Sequence, residues 1–254
     1  MYFLSRNLLD SASLSLLSGI TNAHFPLENL KEYQTTKTFR SASEDTEILV
    51  DLGGIYTVDT FAIAGSNIEG IGVTSLSIQL SGTTDFSSSP IMVIPLNPEY
   101  ALGYLDFSPS VCRYVKISTS NTGGFSELSN IFIGQKIHLS TNGLSTDTFA
   151  FEYQNNSVTS SNRYGQRFIT RSNKVKVMRG TVQIANYQET KLIEDIYNTH
   201  GQDKPLWVIV DPQGSLGIDG KFKYSGYFYI SNNFTQSAQA VNLFDIELEL
   251  VEVV

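Results

Sequence analysis

Residues 46–54 read TEILVDLGG, and directly ahead of them stands Thr38-Phe39-Arg40-Ser41. Ile48, Val50 and Leu52 fall on one face of an extended chain, and Glu47, Leu49 and Asp51 on the other. That is the period of a half-buried strand, which the two glycines close in a turn. The aromatic–arginine pair in front of it has two readings. In the first, Phe39 anchors a loop to the sheet edge while Arg40 satisfies loop carbonyls or a carboxylate. In the second, Phe39 and Arg40 form a platform for a glycan or a partner. The residue types favour the anchor.

Outward from this strand, residues 1–137 hold further short strand candidates separated by turn formers: VDTFAIAGSNI, TSLSIQLSG, IMVIPL, GYLDFSP, CRYVKISTS and NIFIGQKI. Their spacing predicts a β-sandwich. In TSLSIQLSG, Leu76, Ile78 and Leu80 point to a core, and Ser75, Ser77 and Gln79 to water. The Ser/Thr/Asn/Gly-rich segment IHLSTNGLSTD, residues 137–147, reads as a crossing between domains. The expected division is therefore 1–137 and 138–254.

The second domain reads as mainly β with one helix at about 187–200. Asn186 caps that helix with Glu189 three residues on, and Leu192, Ile193, Ile196 and Tyr197 share a face. Gly201 ends it. In the closing NLFDIELELVEVV, Phe244, Ile246, Leu248 and Leu250 alternate with Asp245, Glu247 and Glu249. Three like charges on one face repel a second copy of that strand and suit a partner offering Lys or Arg, so Asp245, Glu247 and Glu249 are the candidate assembly interface.

The 254 residues fit two domains, and the formal net charge of -8 disfavours nucleic acid, which requires clustered Lys and Arg. Charged residues are 17% of the chain, against about 25% in an average domain. The outer faces are then polar and uncharged, either wet or covered by partner subunits. With the single Cys112, no intrachain disulfide forms. No run approaches the ~18 apolar residues of a membrane span, and the amino terminus lacks a signal-peptide pattern.

His24, His138 and His200 stand apart from any nucleophile pattern, and neither Gly-x-Ser-x-Gly nor Gly-x-Gly-x-x-Gly occurs. DPQGSLGIDG, residues 211–220, lacks the ligand ladder of a calcium loop and reads as a tight strand connection. No catalytic, cofactor or metal residue is expected, and the chain reads as no enzyme.

The order NLLDSAS, then NAHFPLENLKEYQTTKTFRSASEDTEILVDLGG, then CRYVKISTS, then LSNIFIGQ resembles the discoidin, or coagulation-factor type C, family of galactose-binding-like jelly rolls. The resemblance covers about half the chain and implies a jelly-roll sandwich. Relatives often hold calcium through an Asn-Asp-Gly-type loop and a Glu near the start of the final strand, with a glycan site among the same loops. Here the loop is NAHFPLENLKEYQ, Ser129 stands where that Glu would be, and Glu127 is out of step; these departures from the family pattern speak against calcium and against the glycan site of those loops.

The loop NAHFPLENL followed by TFRS also resembles discoidin-like domains of phage virion proteins. NRYGQRFITRSNKVKV, the helix and PLWVIVDPQG resemble a tail or baseplate β domain. These resemblances imply a structural component of a tailed-bacteriophage virion, in the tail or distal tail, made in the host cytoplasm. Its partners would be other virion proteins and copies of itself in a homo-oligomer, met through the C-terminal domain and exposed Tyr224, Tyr227 and Tyr229. The alternative is a carbohydrate-binding, host-recognition module that meets a host surface glycan through Phe39 and Arg40.

Overall fold

The computed structural model describes residues 1–64, 73–122, 124–139, 148–155, 157–161, 163–164, 167–170, 174–184, 186–217, 220–240 and 243–253. Two compact units emerge: Tyr2–His138 with Trp207–Gly226, and Leu139–Leu206 with Tyr227–Val254 and Met1. The chain passes from one unit to the other after His138, and residues 207–226 group with the first unit, not with the second as the sequence reading has it. The cause is strand pairing, since Leu4 lies opposite Trp207 and Phe3 opposite Val208 in antiparallel register. Most of the predicted crossing, residues 140–147, lies outside the described residues.

The N-terminal unit is built on two long strands, Asp45–Ala64 and Leu102–Asn121, paired antiparallel. Their register shifts between Asp51 and Tyr56, where Gly53 takes a φ of +76° that favours glycine. Such a bulge bends a ribbon sharply. Both halves then face one core, with Ile48, Val50 and Leu52 from one side of the bend and Val58, Phe61 and Ile63 from the other.

Bending also returns both ends of the 45–64 strand to a single loop region. Asn121 N donates to Glu44 O at 3.0 Å, and Ala64 N donates to Asn130 O at 3.2 Å. Val73–Ser81 pairs with the 102–121 strand and Ile131–Gly134 with the 45–64 strand, completing an antiparallel β-sandwich of the jelly-roll kind.

The alternation read from TEILVDLGG is observed: Ile48 and Val50 are fully buried while Glu47, Leu49 and Asp51 are partly exposed. Gln79 departs from expectation. It is 9% exposed, and its Nε2 donates to the carbonyls of Phe86 at 3.2 Å and Ser89 at 2.8 Å, because the 82–90 loop folds over that part of the sheet. In the 211–220 segment, Asp211 accepts from Ser215 N at 2.8 Å and from Leu216 N at 2.6 Å, so its carboxylate is used to shape a tight connection.

In the C-terminal unit, Leu243–Glu252 is an interior strand. Lys174–Ile184 flanks one side, and Ser225–Ile230 and Thr235–Ala240 follow each other along the other. Helix Tyr187–His200 is capped by Asn186, whose Oδ1 accepts from Glu189 N at 2.8 Å. Its buried stripe runs through Glu189, Thr190, Ile193, Ile196 and His200. Leu192 is one step off that stripe and 41% exposed, against expectation. Nor is Tyr227 a surface residue, at 6% exposure, because it sits on a strand paired into the sheet; Tyr224 and Tyr229 are half-buried.

Candidate functional site

At the loop end of the sandwich, Phe39–Ser41 pairs antiparallel with Ser126–Leu128, so that Phe39 faces Leu128 and Arg40 faces Glu127. Side chains alternate along both short strands. Phe39, Ser41, Ser126 and Leu128 turn inward, and Arg40 and Glu127 turn out side by side. Arg40 Nε and Nη2 both donate to Glu127 Oε2, at 3.1 and 2.6 Å. The guanidinium carbon lies 4.3 Å from the centre of the Phe25 ring and 4.6 Å from that of Phe125. A flat cation is thus filed between two half-buried rings with one edge on a carboxylate.

The backbone beneath is fixed. Arg40 N donates to Phe25 O at 3.1 Å and Asn22 N to Arg40 O at 3.0 Å, which sets the height of the Phe25 ring. A buried hydroxyl chain joins the strands below, with Thr46 donating to Ser41 at 2.5 Å and Thr119 to Ser126 at 3.2 Å.

The neighbouring loop is braced by side chains. Ser129 Oγ donates to Thr35 O at 2.8 Å, Asn130 Nδ2 to Glu32 O at 2.9 Å and Asn29 Nδ2 to Thr38 O at 2.8 Å. Ser129, which the sequence resemblance sets at the place of a calcium-binding Glu, here donates directly to a loop carbonyl. Among the described residues, no group of three or more His, Cys, Asp and Glu stands close enough to hold a metal ion. Because protein donors already satisfy these carbonyls, a chelator is expected to leave the melting temperature unchanged to within about 1 °C in a calorimetric scan, less than the shift a 1 kcal/mol change would cause. A drop restored by calcium would refute this.

Phe39 is fully buried and so offers no surface to a glycan or partner, unlike the platform reading; it is the anchor that brings Arg40 to the surface. Phe25, Phe125 and Glu127 complete the cluster and were not foreseen as its members. The one sequence signal for the two phenylalanines is an aromatic beside a loop breaker, Pro26 or Gly124; Glu127 has none. The histidines are scattered: His24 is exposed, His138 stacks edgewise on Tyr2 at 5.1 Å, and His200 is buried against the Lys204 and Pro205 carbonyls.

The three acids of the last strand do not act as one row. Glu247 is exposed. Glu249 accepts from Arg179 at 2.7 Å and from Ser231 at 2.8 Å, and Arg179 holds its carboxyl below the usual carboxylate range. Asp245 is half-buried, and its Oδ1 has no hydrogen-bond partner among the described residues. Glu247 and Glu249 line a cavity of about 240 Å³ together with Arg179 and Thr181, and Asp245 is not part of that lining.

No protein-family profile and no curated protein matches the chain. Among solved structures it is similar to the module CpGH89CBM32-5 from Clostridium perfringens, in complex with GalNAc-β-1,3-galactose, at 14% identity over 51% of this chain and 99% of that one, with a TM-score of 0.41. It is also similar to chitosan-binding module 1 from a Paenibacillus sp. IK-5 chitosanase/glucanase, at 19% identity over 50% and 98% of the two chains, TM-score 0.40. A Ruminococcus gnavus GH29 fucosidase in complex with fucose matches at 16% identity over 54% of this chain and 28% of its own, TM-score 0.44.

Proposed function

We propose that the chain is a non-catalytic, glycan-binding protein that meets a neutral sugar at the loop end of its N-terminal unit. The observation that supports this reading is Arg40 held between Phe25 and Phe125 and locked by Glu127. A sugar ring offers apolar C–H faces and a rim of hydroxyls. Half-buried rings suit the faces, and a neutralised Arg–carboxylate pair offers donors and acceptors to the rim with little net charge. Arg40 Nη1 donates to none of the described residues, so it keeps hydrogens for a ligand. The strand pairing and hydroxyl chain beneath hold these groups in place before binding, which reduces the entropy lost on association. Retention on immobilised glycans, weakened in Arg40→Ala and Phe125→Ala, is the test.

A second reading, assembly within a tailed-phage virion, draws on the C-terminal unit. Ala150–Asn155 pairs on one side alone among the described residues, Tyr153 on it is 50% exposed, and Thr235–Ala240 is exposed along its whole length. Open strand edges of this kind recruit further chains, here other tail proteins or copies of the same protein. Glu247 is the acid available to such a partner. Glu247→Lys is expected to leave the fold intact, within about 0.5 kcal/mol, and to impair incorporation into particles. Normal incorporation would remove Glu247 from the interface.

A further inference from the structure

At the bend of the folded ribbon, half a strand away from the loop end, the N-terminal unit has a cavity of about 330 Å³ lined by Arg6, Tyr56, Thr57, Gln135 and Ile137, with Ile55 at its rim. From this cleft we infer a second binding site, which takes a carboxylate-bearing sugar ring, a uronic acid. It is independent of the loop-end reading, since no residue is common to the two.

Arg6 carries the inference. It is exposed, and its guanidinium makes no ion pair or hydrogen bond among the described residues; it lies 5.9 Å from the centroid of the Tyr56 ring. By contrast, Arg40, Arg113, Lys116, Lys136, Lys176 and Arg179 are each bound to an acid. In a chain of net charge -8, a guanidinium left uncompensated inside a cleft is a fork for an incoming carboxylate.

The backbone that carries Arg6 is fixed. A Cβ on Gly134 would meet Arg6 O at 2.6 Å, so only glycine permits that approach. Next to it, Asn7 Nδ2 donates to Ile131 O at 2.7 Å and Asn7 Oδ1 accepts from Ile133 N at 3.1 Å. The Tyr56 ring lies against Gly54, where a Cβ would come within 3.3 Å of it.

The groups fit one ligand class. Tyr56 and Ile137 supply apolar surface for a pyranose face, Thr57 and Gln135 supply polar groups for its hydroxyls, and Arg6 supplies the bidentate cation. The volume is at the small end of ligand pockets, which run from about 300 Å³, and so suits a single ring. One arginine, with no lysine among the lining residues and Lys136 beside them already paired with Asp106, suits a monoanionic carboxylate better than a phosphate.

The test is a titration of the full chain with methyl β-glucuronide, methyl β-glucoside and glucose 6-phosphate, followed by calorimetry or amide chemical shifts. The expected result is at least tenfold preference for the glucuronide over both others. Arg6→Gln should abolish that preference and lose about tenfold in affinity, as for one charged hydrogen-bonded contact. Arg6→Lys, which keeps the charge but not the fork, should fall between, and Arg40→Ala should leave glucuronide binding unchanged. Equal binding of glucoside and glucuronide, tighter binding of the phosphate, or an Arg6→Gln variant that binds like the parent would overturn the inference. Loss of glucuronide binding in Arg40→Ala would also overturn it, by moving the ligand to the loop end.

Discussion

Trp207→Ala is expected to destabilise the N-terminal unit by about 3–5 kcal/mol, the range for removing a large buried aromatic side chain. Trp207 is 1% exposed, and its Nε1 donates to Asn130 Oδ1 at 3.0 Å in a buried site. Asn130 in turn holds Glu32 O and accepts from Ala64 N, so the indole is tied to the bracing of the 22–38 loop. Trp207→Phe keeps most of the bulk but leaves the Asn130 oxygen unpaired, and should cost about 1–3 kcal/mol. Urea unfolding followed by circular dichroism checks both, since the one tryptophan of the chain is lost as a fluorophore. A Trp207→Ala change under 1 kcal/mol would mean that residues 207–226 are dispensable to the sandwich.

Phe39→Ala is the second large effect, again about 3–5 kcal/mol, because a fully buried core side chain is removed from the strand that presents Arg40. It should also weaken glycan retention, but through displacement of Arg40. Phe39→Leu, closer in volume, should recover much of the stability and with it the retention. Arg40→Ala should behave in the opposite way, costing about 1–2 kcal/mol in stability, as for a charged hydrogen bond at a partly exposed site, while removing the contact itself. If Phe39→Ala lost retention at undiminished stability, Phe39 would be a ligand contact after all.

Much of the fold was legible because one strand face is buried. Ile48, Val50 and Leu52, and later Ile246, Leu248 and Leu250, alternate with polar residues, and burial enforces that period. The helix was legible from its cap, since Asn186 and Glu189 are local partners. Long-range pairing was less so. Nothing in DPQGSLGIDG or PLWVIV announces that residues 207–226 return to the first unit, because a buried strand reads alike wherever it pairs.

The site was half legible for the same reason. Phe39 and Arg40 stood out as a pair, yet their roles divide by strand alternation, one inward and one outward. Glu127 is Arg40's partner across 87 positions, a register that no local pattern encodes. Phe25 and Phe125 come from two loops and meet only through that register. In the last strand, the row Asp245, Glu247, Glu249 looked uniform, and its members differ because Arg179 reaches one and burial covers another.

The most direct test of the central claim is retention of the full chain on a panel of immobilised neutral glycans, measured beside Arg40→Ala and Phe125→Ala variants shown to be folded by circular dichroism. The account predicts saturable retention of the parent on at least one glycan and a loss of about tenfold or more in each variant, the worth of one good contact. No retention of the parent on any glycan, or retention unchanged in both variants, would contradict it.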